Sequence, residues 1–570
     1  MPKNFSVRAL EIHDTHMMWN PKKMMRVFDF MIRNNMNTLI FHENNIVDKV
    51  VYPAYLFGWE SDDLRSYSAY TKLYKEIYYR TPSPYVFSDE LLIFRDLLRV
   101  IVEQATSLGI DFYLQTKELW FPDILFESDL MKNGKICPSE SYWWETFLPH
   151  KYHELLVNFP EIAGIVTSTG TRESRASLAH GKCQCEQCKN MDLAEWQRNI
   201  VMAIYKPLKE AGKKLVVRDF TYYAKEQNGL RSGLLDLPED IIISIKNVPQ
   251  DYYPTFPHNA LIGNTGNHEQ WIEYEVMGEY FGWGVSPCIV LDDIRYRMKY
   301  CLDKGATGFT ARIDWEALPN HSCFETPNLL NLYGIAHLSM NPDLPLKDIY
   351  YRWMQDENLL EEGLDPFRLN HTIEWVMNIL QKTWSAMSKA PYMNGFLFCN
   401  NSKIPVSIEN GDFLSREHHG IQKWFPEKAV LFDQNDKNVR NMLSERDEGI
   451  REVASMLKLW SDQNPGLKSE VHTQIKHLFS YFTIYMDMYA LVGKSYIYVK
   501  YLQEHGKKST LEPFEAIMDR LRTLVDDMIA LEDGIRKMMT PIFAYPVRCI
   551  ISAERLRVFR EDVQKVIPKL

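Results

Sequence analysis

No apolar run reaches the length of about eighteen residues that a membrane span requires, so nothing in the 570-residue sequence is expected to cross a bilayer. Basic residues are in the minority. Against 75 Asp and Glu stand 65 Lys and Arg, a net charge of −10, and no basic stripe interleaves with aromatics, which argues against a nucleic-acid partner. Cysteine is sparse and odd in number, nine in all. That pattern favours reduced thiols and a cytoplasmic setting, and Met1-Pro2-Lys3-Asn4-Phe5 has no apolar core of a secretory signal. Repeats, heptads and low-complexity tracts are missing. So are a Gly-rich phosphate cradle after the first strand, a nucleophile elbow and a His-Glu-x-x-His helix. Dehydrogenase, kinase, serine-hydrolase and zinc-protease chemistry lose support accordingly. What is present is an ordinary globular balance, 45% hydrophobic and 25% charged, with 13% aromatics that suit sugar faces as well as cores.

A chain this long exceeds one core. Its first part alternates β-rich runs with amphipathic helices. Strands are expected at 6–12, 38–43, 111–116, 164–168, 215–220, 240–247, 273–280 and 308–314. Several have near-continuous apolar cores, as parallel strands covered on both faces do. Asn20-Pro21 opens a helix over 22–34, Ser88-Asp89 one that stops near Gly109, and Asp192 with Glu195 one that runs to Gly212. No clean helix appears between Asn247 and Glu273. Eight strands with helices between them predict an α/β fold, a (β/α)₈ TIM barrel, over 1–345. Residues 346–570 read as an all-α domain, with helices near 367–388, 438–461, 468–504, 511–538 and 551–567 and an irregular excursion near 390–436. Its apolar surface offers a route to a homodimer.

Reactive groups of such a barrel sit at the C-terminal strand ends. Those ends carry Glu11, His13, Asp14, His16, His42, Glu43, Lys117, Glu118, Arg172, Glu173, Arg175, Arg218, Asp219, Lys246, Asp251, Glu275, Glu279, Arg312, Asp314 and Glu316. One such acid is commonly an ion-pair partner; a ring of acids mixed with cations suits glycoside cleavage. That reaction needs a carboxylic acid to protonate the leaving oxygen and a carboxylate to activate water or attack carbon. The cations suit an acidic sugar, because guanidinium forks match carboxylates, although they also balance the local acids.

The segments EDIIISIKNVPQDYYPTFP (239–257) and WIEYEVMGEYFGWG (271–284) resemble the family 67 glycoside hydrolases, the α-glucuronidases. So do AGIVTSTGTRES (163–174), KLVVRDFTYY (214–223) and LYGIAHLSMNPDLPLKDIYYRWMQDE (332–357), in matching order, over about 160–360. The resemblance implies exo-acting, inverting hydrolysis of an oligosaccharide with no cofactor required. Glu173 matches the general acid, Asp251 and Glu279 the two carboxylates that activate water, and Lys246 and Arg218 the cations near the substrate carboxylate. An acid catalyst must hold its proton near neutral pH, and acid and base should stand roughly 6.5–9.5 Å apart. The sequence departs from the family where Ser174-Arg175 follow the acid, at Val248 in Lys246-Asn247-Val248-Pro249, and throughout the region after about 365.

Further substrate contacts are expected from Arg172, Lys117, Arg312, His13 and His42, and from Trp120, Trp283 and Trp315 just past strand ends. His180, Cys183, Cys185 and Cys188 have the donors of a Cys₃His structural zinc site; the alternative is a loop of reduced thiols packed beside the barrel. Competing functions are another glycosidase on the same barrel and a catalytically silent sugar-binding protein. A hexosaminidase that uses the substrate's N-acetyl group needs neighbouring acids after strand 4, and Glu173 has no adjacent acid.

Overall fold

The computed structural model describes residues 4–50, 90–120, 131–132, 135–168, 173–180, 183–542 and 544–570. Its centre is a closed, all-parallel eight-stranded barrel. The strands are β1 (Val7–Ile12), β2 (Thr38–His42), β3 (Asp111–Lys117), β4 (Gly164–Ser168), β5 (Lys214–Asp219), β6 (Ile242–Lys246), β7 (Gln270–Glu275) and β8 (Gly308–Arg312). Each pairs with its sequence neighbours, and β8 closes on β1 with Val7 opposite Gly308 and Glu11 opposite Arg312. The expected TIM barrel is thus observed, followed by the expected long helical region.

Local chemistry sets the helices. Asn20 accepts the Lys23 N–H and Pro21 occupies the first turn, opening α1 (Pro21–Arg33). Helix α2 (Glu90–Ser107) stops before Gly109 at φ 70°, while its expected cap, Ser88-Asp89, lies outside the described residues. After α3 (Leu148–Asn158), Asp192 caps α4 (Leu193–Glu210) through the Glu195 N–H. Then follow α5 (Ala224–Leu235), α6 (Leu291–Asp303) and, after β8, α7 (Leu329–Met340). No helix forms between β6 and β7.

The seventh strand corrects the sequence expectation of 273–280. Glu275 turns its carboxylate back onto the N–H groups of Gly278 (2.7 Å) and Glu279 (3.2 Å), and Gly278 takes φ 102°. This capped turn ends β7 at Glu275, so Glu279 sits on the turn rather than on the strand. A Cβ at Gly278 would lie 2.9 Å from the Phe281 ring, at a φ that other residues avoid.

Inside the barrel, side chains alternate with the pleat and form tiers. The lowest is apolar: Ala9, Ile40, Tyr113, Val166, Val216, Ile242 and Trp271 pack together, fully buried. Trp271 fills the space over Gly308, where a Cβ would come within 2.4 Å of the indole. Two residues further along each strand stands a buried polar tier: Glu11, His42, Gln115, Ser168, Arg218, Ser244 and Glu273.

The chain divides into two compact units. One comprises Met1–Asn247, His258–Tyr274 and Lys299–Arg312; the other comprises Val248–Pro257, Glu275–Met298 and Ile313–Leu570. The second holds α8 (Leu346–Asp356), α9 (Pro366–Leu380), α10 (Asp436–Asp462), α11 (Ser469–His505), α12 (Phe514–Met539) and α13 (Ala553–Val566). Helix α11 is buried on several sides, as its apolar residues on more than one face predict, with α10, α12 and α13 packed against it. Among the described residues no helix is long and apolar enough to cross a membrane.

Candidate active site

In the first unit the polar tier is an ordered network. The Arg218 guanidinium donates from Nε (2.7 Å) and from Nη2 (2.5 Å) to the two oxygens of Glu273, and Ser244 Oγ adds a third bond (2.7 Å). Burial alone would push the Glu273 carboxyl up; Arg218, Ser244 and Lys246 outweigh it and hold the group down at about 2. The Arg218 fork therefore faces a carboxylate of the protein itself, which makes it a positioning element before it is a substrate contact.

On the opposite wall, Glu11 Oε1 lies 2.7 Å from His42 Nδ1. The His42 and His13 rings stack at 3.8 Å, and Arg312 Nη2 donates to His13 Nδ1 at 2.6 Å. Burial first, then the charges of His13, Lys117, Arg218 and Arg312, push the His42 pKa well below its usual range. Neutral His42 thus donates a hydrogen bond from Nδ1–H to Glu11.

Three cations converge on one ring. Lys246, Lys117 and Arg218 lie 3.8, 5.3 and 5.6 Å from the Phe220 centroid. Lys117 is buried and pairs with Glu173 Oε2 at 2.5 Å, while Glu173 keeps 43% of its side chain in solvent. An ammonium at this distance favours ionised Glu173, opposite to the form an acid catalyst needs. Asp219 leads outward to Gln227, and burial pushes its carboxyl up to about 6. Trp120 is half-buried with the Arg175 guanidinium 5.7 Å from its ring. Arg172 lies outside the described residues.

In the second unit Asp251 and Glu279 share a setting. Both act on the same two buried phenols, Tyr253 and Tyr280: burial raises these well above the ordinary tyrosine value, and the two carboxylates add to the rise. Tyr253 and Tyr280 thus stay protonated, with rings 4.6 Å apart. Tyr253 Oη lies 3.4 Å from Asp251 Oδ2 and 2.5 Å from His419 Nδ1. Asp251 and Tyr252 adopt φ values of 44° and 65°, consecutive left-handed residues that a bulky side chain such as Tyr seldom accepts.

Sequence reading missed the supports of this pair. Trp424 Nε1 donates to Gln250 Oε1 (2.9 Å), and Gln250 Nε2 reaches His419 (3.3 Å). Ser402 Oγ donates to the Glu279 carbonyl (2.7 Å) and accepts the Gly282 N–H (2.9 Å). Ser402, His419 and Trp424 belong to the excursion near 390–436, whose irregular composition carries no periodicity to flag them.

Trp283 departs from its expected role as an open sugar platform. It is fully buried, its indole N–H donates to the Glu279 carbonyl (3.1 Å), and Trp315 lies 5.5 Å from it. Positive φ at Gly282, Trp283 and Gly284 folds the ring inward, where it steadies the Glu279 turn.

The cysteine loop gains a member. Cys137, Cys183, Cys185 and Cys188 place all four sulfurs within 4.8 Å of one another. Cys137 Sγ is 3.6 Å from Cys185 Sγ and 3.5 Å from Cys188 Sγ, near the roughly 3.8 Å edge of a tetrahedron with zinc–sulfur bonds of about 2.3 Å. The Cys188 N–H lowers Cys185 to about 7, toward a thiolate, whereas burial pushes the Cys137 thiol up and the Cys188 thiol up to about 12. Trp143 and Trp196 donate to the carbonyls of Cys137 and Pro138, fixing the distant ligand. The donor set fits a structural metal such as zinc, with Cys137 as the fourth ligand in place of His180, whose side chain lies outside those described.

No family model and no curated protein matches the sequence. Among solved structures, 97% of the chain is similar to 65% of a GH138 enzyme targeting pectin rhamnogalacturonan II, at 12% identity and a TM-score of 0.59. It is also similar to a family 89 glycoside hydrolase from Clostridium perfringens, covering 99% of this chain and 58% of that one, at 11% identity and a TM-score of 0.46. A third is an O-GlcNAc hydrolase from Thermobaculum terrenum, covering 99% and 95%, at 15% identity and a TM-score of 0.39. The chain thus spans 65% of the length of the first of these enzymes, and the similarity to that enzyme is one of fold.

Proposed function

We propose that the chain is an exo-acting, inverting glycoside hydrolase that removes a terminal acidic sugar, α-glucuronic-acid-like, from an oligosaccharide, related distantly to family 67. The observation that carries this reading is the common setting of the carboxylates Asp251 and Glu279 around two tyrosines whose rings lie 4.6 Å apart, with Tyr253 Oη 3.4 Å from Asp251 Oδ2 and Tyr280 hydrogen-bonded to Glu279. Such a pair can hold one water between them and take its proton. Glu173 protonates the leaving oxygen. Lys117 and Lys246 meet the substrate carboxylate. When that carboxylate engages Lys117 it competes with Glu173 for the ammonium, which relaxes the hold on ionised Glu173 and favours its acid form.

The test is a panel of terminal uronosides with neutral-sugar controls, followed by proton NMR of the first anomer released. Inversion of an acidic sugar is expected, without turnover of the neutral controls. Asp251→Asn and Glu279→Gln should each lose about 10²–10⁴-fold in kcat on every substrate. Glu173→Gln should lose as much on sugar leaving groups but far less on 4-nitrophenyl glycosides, whose phenolate departs without a proton. Near-wild-type turnover by the three variants on an unactivated substrate would sink the assignment.

A further inference from the structure

We propose that His42 and Gln115 form a matched acceptor–donor pair inside the barrel that reads one hydroxyl of the bound sugar. The proposal rests on the glycosidase reading and adds a specificity determinant to it. Each residue is 2% exposed, and each keeps a buried nitrogen, His42 Nε2 and Gln115 Nε2, with no hydrogen-bond partner among the described residues. Unpaired buried polar atoms are costly, and these two stand on neighbouring strands.

Geometry supplies one. His42 and Gln115 are register partners on β2 and β3. Two residues earlier on the same strands, Ile40 and Tyr113 belong to the packed apolar floor, so the pleat turns His42 and Gln115 to the same interior side. Neighbouring strands lie about 4.8 Å apart, a spacing that lets two side chains straddle one oxygen. The chemistry is complementary. Because neutral His42 donates Nδ1–H to Glu11 at 2.7 Å, its Nε2 presents a lone pair. The Gln115 amide presents an N–H. A sugar hydroxyl is donor and acceptor at once and satisfies both. Neither a charged group nor a bare methylene does so.

The pair predicts discrimination against a sugar that lacks this hydroxyl, since both nitrogens would then stay unpaired in the complex. The experiment is calorimetric titration of the whole chain with D-glucuronate, D-galacturonate and their 2-, 3- and 4-deoxy analogues. Hydrolysis of the corresponding 4-nitrophenyl glycosides is followed separately. One deoxy position should weaken binding by about 10²-fold in wild type, the loss of two hydrogen bonds. In Gln115→Met that penalty should largely vanish, because the parent sugar now binds about as weakly as its analogue. His42→Asn, which can keep the bond to Glu11 but loses the Nε2 acceptor, should behave likewise. The ligand-free melting temperature of Gln115→Met should stay level or rise; a purely structural amide would lower it. Sugar binding with no position-specific penalty, or a penalty unchanged in both variants, overturns the pair and leaves the hydrolase standing. Binding with the expected penalty but without hydrolysis keeps the pair and removes the hydrolase. Absence of binding by every sugar in wild type overturns both.

Discussion

The Glu273 carboxylate is buried with both oxygens engaged by Arg218 and Ser244, so its removal takes away the carboxylate that the buried Arg218 fork grips. Glu273→Gln is expected to cost about 3–5 kcal/mol at pH 7, the usual loss when one partner of a buried pair goes. The pH dependence has a definite sign. Glu273 is held at about 2 in the folded chain against an ordinary 4.5, so its stabilisation is full above about 4.5 and is lost as pH falls through about 2. Melting temperatures of wild type and variant should differ most near neutral pH and converge toward pH 2; a constant gap would show that the carboxylate's charge is not what matters. Arg218 also marks how far a residue can be read from sequence. Its place at a strand end was legible from the apolar run Leu215-Val216-Val217 of β5. Its partner was not, because Glu273 lies two strands away and only the placing of β5 and β7 on either side of β6 brings the two into one tier.

At the scale of elements, most strands were legible because their apolar cores are continuous, and α1 and α4 because their caps are local chemistry. The end of β7 was not. Glu275 and Glu279 look in phase along a strand, and only the carboxylate turning back onto Gly278 and Glu279 shows where the strand stops. The cysteine loop failed for a different reason. Three thiols lie together in sequence, but Cys137 is 46 residues before Cys183 and arrives only through the fold. This completes four sulfurs and yields a prediction. Metal released by thiol modification should approach one zinc per chain. Cys137→Ser should lower zinc content and melting temperature together, whereas His180→Ala should change neither. Full zinc retention in Cys137→Ser would remove it from the ligand set. The loop joins β4 to α4, so metal loss should loosen the approach to Glu173 and leave the apolar floor of the barrel intact.

For the whole molecule, the order of the chain and the order of packing differ. The compact unit that contains the C-terminal helices also takes in 248–257 and 275–298, the segments that carry Asp251 and Glu279. Within that unit the Asp251 loop is held by His419 and Trp424, and the Glu279 turn by Ser402, itself tied through its carbonyl to Tyr485 of α11. A cut near residue 345, where strand patterning ends in the sequence, would leave both carboxylate loops without these partners. It would also strand apolar residues of 275–298 that pack within the unit, such as Phe281 against Trp384 and Gly282 against Met387. Residues 1–345 expressed alone are therefore expected to aggregate or to fold without activity, even though every proposed catalytic residue is present. Supplying 346–570 in trans should restore some activity if the loops need only their packing partners. A truncated chain with wild-type turnover would show instead that the barrel positions Asp251 and Glu279 by itself. The point variants His419→Ala and Ser402→Ala separate the two contributions in the intact chain: each should lower kcat while leaving the melting temperature within a few degrees, since each removes one or two bonds from a loop and none from the helical core.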